Sequence, residues 1–171
     1  MKKLAVTVLV LAIASTAVYR AQPSSAPELT ALDYIQIQQL VSSYAYALDS
    51  GADNGYMYAD LFAPDGEFIV PYTKGRDALA ELGRTTAGAR GGPDRVWHFL
   101  MNHIIEPSPE GATGKQYAAI INIGENDEPS AIQLGGHYED IYVKTGDGWR
   151  FKRREFIPSR SGPRPAAAPA R

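Results

Sequence analysis

The chain has 171 residues, of which 44% are hydrophobic and 21% are charged, a composition typical of a single globular domain. Its net charge of −2 at pH 7 provides no broad positive surface, and nucleic-acid binding needs clustered Lys and Arg against phosphates. We therefore expect no nucleic-acid partner. The sequence has no cysteine, which excludes disulfide bonds, a cysteine nucleophile and thiolate metal ligands.

Residues 1–21 are expected to form a secretory signal peptide. Two lysines precede the apolar run from Leu4 to Ala14, and a small-residue cleavage site ends at Ala17. Cleavage after Ala17 and cleavage near Ala21 both fit this pattern. The apolar run is about half of the ~20 residues that span a bilayer, so no stable membrane span is expected after cleavage. The mature protein is expected to be exported, either periplasmic or secreted.

The folded unit is expected to span residues 28–158. A short segment rich in Pro, Ser and Ala precedes it, and the C-terminal segment 159–171 reads SRSGPRPAAAPAR. That segment has no periodic apolar face to bury, so we expect a disordered tail.

The first half of this unit predicts helices. Apolar residues recur at helical spacing from Ile37 to Leu48, between a capping Thr30 and a stop at Gly51. A second and a third helix are expected further on, over 56–62 and 77–82.

Two further features are expected around the second helix. Asp53 is interpreted as its N-cap. The sequence Pro64-Asp65-Gly66 predicts a turn after it, followed by a short strand over 67–70.

The second half predicts four long strands separated by turn signals, over 96–106, 116–124, 131–144 and 149–157. Helices followed by consecutive hairpin strands are typical of an α+β fold in which helices cover one face of an antiparallel sheet. If the sheet is strongly curved, its concave side and the helices enclose a pocket.

Five short segments occur in an order and spacing that point to a known family. They are a helix ending in Asp49, LFAPDG at 61–66, WHF at 97–99, GHYED at 136–140 and GWRF at 148–151. On these segments the chain resembles a SnoaL-like domain of the nuclear transport factor 2-like (NTF2-like) superfamily, in the branch of scytalone dehydratase, bile-acid dehydratases and polyketide cyclases. The resemblance implies a cone-shaped fold, in which a curved antiparallel sheet and about three N-terminal helices enclose a pocket for a small apolar molecule. Superfamily members often dimerise through the outer sheet face, so a homodimer is expected.

The resemblance also implies a catalytic pair, Asp49 and His98. A carboxylate on one ring nitrogen fixes the histidine tautomer, and the other nitrogen can then take a proton near neutral pH. Strand alternation places His98 and Asn102 on one face and His103 on the other, unless a bulge intervenes. We expect His98 to face inward, with Asn102 beside it as a substrate-binding group. The alternative is that His98 is a hydrogen-bonded core residue.

Further substrate-binding residues are implied by the same resemblance. Tyr138 and Asp140 are expected to face the pocket, where Tyr138, or alternatively Tyr72, stabilises negative charge on oxygen. Tyr56 is expected at the pocket mouth. Asp140 could equally form a structural ion pair with Arg154.

The chain departs from scytalone dehydratase at other positions. The family's tyrosine before the helix-end aspartate is replaced by Leu48, and its second histidine falls at about Ala118, so scytalone itself is not the expected substrate. The three histidines lack metal-binding spacing, and no nucleotide or serine-hydrolase motif occurs, so neither a metal nor a cofactor is expected.

These observations predict a cofactor-free lyase that eliminates water from a small hydroxylated aromatic, steroid-like or polyketide-like compound by His/Asp acid–base catalysis. Two alternatives stay open. One is a periplasmic binding protein without catalysis, and the other is a cyclase or isomerase that uses the same pair of residues.

Overall fold

The computed structural model describes residues 27–89, 95–123 and 130–159. The predicted signal peptide and all but the first residue of the predicted tail lie outside these ranges. Among the helices in these ranges, none has both the length and the apolar character that crossing a bilayer requires.

Helix α1, Ala31–Ser50, has well-defined ends. The Thr30 hydroxyl accepts a hydrogen bond from the Asp33 N–H at 3.2 Å, and the Asp33 carboxylate accepts one from the Thr30 N–H at 2.9 Å. This reciprocal capping box satisfies two backbone donors that a helix start otherwise leaves without partners. Gly51 ends the helix in the left-handed conformation, with φ of 59°. The predicted first helix is confirmed.

The second helix is shorter than predicted. A 3-10 turn, Asp53–Gly55, leads into helix α2, Tyr56–Ala59. Asp53 does not cap α2, because it is the first residue of the 3-10 turn and the N-cap of α2 is Gly55. Gly55 is required here, since its φ is 87° and a Cβ would lie 1.9 Å from the Ala80 carbonyl oxygen of the next helix. That helix, α3, spans Arg76–Ala89 and is longer than predicted.

Six strands form one sheet in the order β2-β1-β6-β5-β4-β3, and their bounds are β1 Phe62–Phe68, β2 Thr73–Lys74, β3 Val96–Ser108, β4 Gly111–Asn122, β5 Ala131–Thr145 and β6 Gly148–Pro158. The consecutive strands β3 to β6 pair antiparallel, as expected. β1 pairs parallel with β6, so the sheet is mixed rather than purely antiparallel.

The predicted turn at Pro64-Asp65-Gly66 lies inside β1. The pairing with β6 shifts register between Phe62 and Glu67, so the chain makes a bulge there and continues as a strand. Similar shifts interrupt the pairings of β3 with β4, β4 with β5 and β5 with β6. Bulges bend strands, and together they curve the sheet around the helices.

The core lies between the concave face of the sheet and helices α1 to α3. It is rich in aromatic side chains, and its largest fully buried apolar members are Ile37, Val41, Tyr44, Tyr58, Leu79, Tyr142 and Phe151. At Gly114 of β4, a Cβ would lie 2.6 Å from the Tyr142 ring, so glycine lets this ring lie flat on the neighbouring strand. The predicted α+β, NTF2-like architecture is confirmed.

Candidate active site

The last turn of α1 meets the start of β3 at a carboxylate–histidine pair. Asp49 accepts a hydrogen bond from the backbone N–H of His98 through Oδ2 at 3.0 Å, and its Oδ1 is hydrogen-bonded to the ring Nδ1 of His98. The two side chains are 12% and 2% exposed. One carboxylate thus holds both the backbone and the ring of the histidine, which fixes the ring's position relative to the helix.

This arrangement determines what His98 can do. A carboxylate on Nδ1 favours the tautomer with the proton on that nitrogen, so the lone pair lies on Nε2. Nε2 is then the ring atom that can accept a proton from a substrate. The structure thus places Asp49 and His98 together on the concave side.

A β-bulge changes which residues of β3 face inward. Pairing with β4 breaks between Met101 and Ile104, and Asn102 has a φ of 58°. The extra residue reverses the alternation, so Asn102 is exposed and His103 is turned toward the core. The expected position of Asn102 beside His98 is therefore wrong. Asparagine tolerates positive φ better than most residues, which is the one signal in the sequence for this bulge.

Asp140 lies at the centre of a second polar cluster, deep in the concave face. Its Oδ2 accepts hydrogen bonds from Gln116 Nε2 at 2.6 Å and from the Tyr142 hydroxyl at 2.7 Å, and lies 3.3 Å from Nη1 of Arg154. Burial raises the pKa of the Asp140 carboxyl, and the Arg154 charge opposes that rise. Of the two roles considered for Asp140, the ion pair with Arg154 is present.

Arg154 is fully buried inside a cage of aromatic rings. Its guanidinium carbon lies 3.9 Å from the ring centroids of Tyr44 and Tyr138 and 4.4 Å from that of Phe151. Contacts with ring faces and with Asp140 offset the cost of burying this charge. From the sequence, Arg154 is expected only as a possible partner of Asp140, and no role in the site is predicted for Tyr44.

Tyr138 is buried and faces the interior, as expected. Its hydroxyl oxygen lies 3.3 Å from that of Tyr44, and burial raises its pKa well above the usual value. The phenol is therefore protonated at neutral pH and can donate a hydrogen bond to an oxygen that develops negative charge.

The other two tyrosines lie elsewhere. Tyr72 is 65% exposed, and its hydroxyl donates to the Glu67 carboxylate at 3.2 Å, so it does not line the interior as expected. Tyr56 donates to Asp77 at 3.0 Å, and the Arg76 guanidinium lies over its ring, 4.3 Å from the centroid. These contacts tie Tyr56 to α3.

Two surface depressions are also present, and neither is lined by Asp49 or His98. One, of about 270 Å³, lies on the outer sheet face among Ile104, Lys115, Glu139 and Arg153. The other, of about 300 Å³, lies beside the start of α1. Both depressions are open to solvent, whereas the side chains of Asp49 and His98 are almost entirely enclosed. Within the part of the chain that the structure describes, no group of three or more His, Asp or Glu side chains could hold a metal ion.

Comparison with known proteins identifies the family. A family model described as a SnoaL-like domain matches residues 29–155, while no curated protein sequence matches the chain. A protein of unknown function from Mycobacterium tuberculosis is 24% identical with a TM-score of 0.66, and the match covers 80% of this chain and 82% of that one. ActVI-ORFA from Streptomyces coelicolor is 18% identical with a TM-score of 0.65, over 78% of this chain and all of that one (100%). A proposed scytalone dehydratase from Novosphingobium aromaticivorans is 27% identical with a TM-score of 0.60, over 75% and 85% of the two chains. The chain therefore belongs to the SnoaL-like family and has its NTF2-like fold.

Proposed function

We propose that this protein is a cofactor-free lyase that eliminates water from a small hydroxylated compound of aromatic, steroid-like or polyketide-like character. The observation that carries the proposal is the Asp49–His98 pair, in which one carboxylate holds both the ring and the backbone N–H of a buried histidine. The likeness to a proposed scytalone dehydratase supports the same class of reaction.

In the proposed reaction, His98 Nε2 takes a proton from a carbon next to a carbonyl group. The electron pair of that C–H bond forms a carbon–carbon double bond, and the bond to the neighbouring hydroxyl breaks. The leaving hydroxide takes that proton back from His98 and departs as water, which returns the histidine to its neutral form. Tyr138 pairs with Gln116 of β4, four residues from the β4 partner of His98, so it contacts the substrate away from the reacting carbon. Acid–base catalysis of this kind supplies roughly 10²–10⁴-fold, and positioning of the substrate supplies the rest.

The test is mass spectrometry of hydroxylated aromatic, steroid and polyketide-like compounds incubated with wild type, His98→Ala and His137→Ala. His137 is a matched control, because it lies on the outer side of β5 near Glu139 and away from the Asp49–His98 pair. We expect loss of one water with the wild type and His137→Ala, and none with His98→Ala. Undiminished product with His98→Ala would refute the mechanism.

A binding protein without catalysis is the second candidate function. Leu48 and Ala118 are buried apolar residues at positions where the resemblance would place a tyrosine and a second histidine. Compounds that bind unchanged to both wild type and His98→Ala in the same experiment would favour this candidate. A product of the same mass as its substrate would instead favour an isomerase or cyclase that uses the same pair.

We also propose a homodimer through the outer sheet face. Apolar side chains are exposed along this face of β3, β4 and β5, namely Trp97, Phe99, Met101, Tyr117 and Ile132. An exposed apolar surface of this kind is typical of a protein–protein interface. Light scattering should give twice the chain mass for the wild type and a single chain mass for Tyr117→Glu. A monomeric wild type would contradict the proposal.

Export is proposed from the N-terminal sequence. The protein recovered from the periplasm or medium of the host should have the mass of a chain that lacks the first 17 or about 21 residues. Full-length protein in the cytoplasm would contradict export.

A further inference from the structure

A second set of buried polar atoms lies in the concave face, in addition to the Asp49–His98 pair. His103 Nε2, Asp140 Oδ1 and all three guanidinium nitrogens of Arg154 are buried and make no hydrogen bond to any described residue. Arg154 and Asp140 are at least nine-tenths buried, and the bulge places His103 opposite Gln116, which donates a hydrogen bond to Asp140, so the three groups form one cluster. Buried polar groups are normally satisfied, and several unmet ones together point to a polar group that binds among them.

The hydrogen-bonding capacity of the cluster limits what that group can be. The Leu100 carbonyl accepts a hydrogen bond from the His103 ring, and burial lowers the His103 pKa, so this ring is neutral with its lone pair on Nε2. Asp140 Oδ1 is a second acceptor, and Arg154 supplies donors. The charges of Asp140 and Arg154 cancel. The cluster therefore suits a neutral group that both donates and accepts hydrogen bonds, which is the behaviour of a hydroxyl.

The strand register gives the distance from the proton-transfer site. His103 lies in the bulge opposite Gln116, which pairs with Tyr138, whereas His98 pairs with Ile120. Four residues of β4 separate the two rows, or roughly 13 Å at the rise of a strand. A compound of two or three fused rings can span this distance.

We propose that His103 and Arg154, with Asp140, form a binding site for a hydroxyl group at the far end of a fused-ring substrate. The proposal rests on the proposed function of His98, because it places the reacting carbon at the opposite end of the same molecule. The Tyr138 ring and the partly buried Phe156, whose centroids are 5.1 Å apart, lie beside the cluster and offer apolar surfaces for the last ring. This adds His103 and Arg154 as residues that determine substrate specificity.

The test measures dissociation constants for 2-hydroxyanthraquinone and anthraquinone, which differ by one hydroxyl at one end of the ring system. We expect the wild type to bind the hydroxy compound at least tenfold more tightly, because a buried site with unmet partners discriminates against the analogue that lacks the hydroxyl. His103→Leu should reduce the preference to less than threefold. His103→Gln, which keeps an acceptor, should restore part of it.

Two controls separate this proposal from the proposed function. His137→Leu, on the outer sheet face, should keep the full preference, and so should His98→Ala, because His98 lies at the opposite end of the ligand. Thermal melting shows whether each variant is folded. A wild type that binds neither compound or both equally, or a folded His103→Leu with its preference intact, would overturn the hydroxyl site. Absence of turnover in the compound panel would instead overturn only the elimination chemistry.

Discussion

Two buried carboxylates in this molecule, Asp49 and Asp140, are each paired with a basic side chain, yet the two pairs differ in what they can do. Histidine exchanges a proton near neutral pH, whereas arginine keeps its proton under all ordinary conditions. The Asp49–His98 pair is therefore suited to proton transfer. The Asp140–Arg154 pair is suited to structure and hydrogen-bond recognition.

The surroundings of the two pairs also differ, because one pair lies at a helix end and the other lies among aromatic rings. Asp49 is held at the end of a helix, and its two oxygens are both taken by His98. Arg154 is enclosed by aromatic faces that restrict its movement. A buried carboxylate does not by itself indicate a catalytic site. The two pairs are distinguished by whether the basic partner can gain and lose a proton.

The largest expected effect follows from Asp49→Asn. The amide removes the negative charge beside His98 Nδ1 and can favour the wrong tautomer, so kcat/KM should fall by about 10²–10⁴-fold. Turnover of a compound identified by mass spectrometry is the measurement. Asp53→Asn is the matched control, because Asp53 is exposed on the neighbouring 3-10 turn and should leave turnover unchanged. If Asp49→Asn lowers kcat/KM by less than threefold, the Asp49–His98 pair is structural, like the Asp140–Arg154 pair.

Arg154→Met should have the next largest effect, and on stability. Removing one partner leaves Asp140 buried and charged, so the free energy of unfolding should fall by about 3–5 kcal/mol in urea titrations. Asp140→Asn in the same chain should recover part of the loss, because it removes the uncompensated charge. A change below about 1 kcal/mol for Arg154→Met would show that the pair does not hold the core together.

Asp33→Asn should have a smaller, pH-dependent effect. Hydrogen bonds from Lys144, then from Thr30 and Trp149, hold the pKa of Asp33 well below its usual value of 3.8. A lowered pKa in the folded state stabilises the fold above pH 3.8, and this contribution is lost as the pH falls below that value. The Tm of the variant should therefore be about 2–6 °C lower at pH 7, and the difference should shrink toward pH 2. A constant difference across this range would contradict the account.

The smallest effects are expected at the two residues that the structure places away from the site. Tyr72→Phe loses one exposed hydrogen bond, to Glu67, and should change turnover by less than twofold.

Asn102→Gly should also change turnover by less than twofold, because glycine accepts the positive φ that the bulge needs. A large loss of turnover in either variant would return that residue to the substrate-binding site.

The parts of the fold that follow local rules were predictable from sequence. Helix α1 has its capping Thr30 and its Gly51 stop, and the four long strands alternate or are separated by turn residues. The parallel pairing of β1 with β6 was not predicted, because it joins segments far apart in sequence. The Pro64–Gly66 segment has turn chemistry, but pairing with β6 keeps it in a strand.

In the site, too, some residues could be predicted from the sequence and others depend on long-range strand pairing. Asp49 and His98 could be proposed from residue type and position in the resemblance. His103 could not be placed, because one extra residue in β3 reverses every side chain after it, and only the register of β4 shows where that residue lies. The aromatic cage of Arg154 likewise depends on contacts among α1, β5 and β6.

The most direct test of the central claim is chemical rescue of His98→Ala by imidazole. In the proposed mechanism the His98 ring takes the proton, so turnover should fall at least about 10²-fold in this variant, and added imidazole should restore part of it in proportion to its concentration. His137→Ala should show neither the loss nor the rescue. If His98→Ala turns over substrate within threefold of the wild-type rate without imidazole, His98 is not the proton acceptor, and the Asp49–His98 pair is structural like Asp140–Arg154.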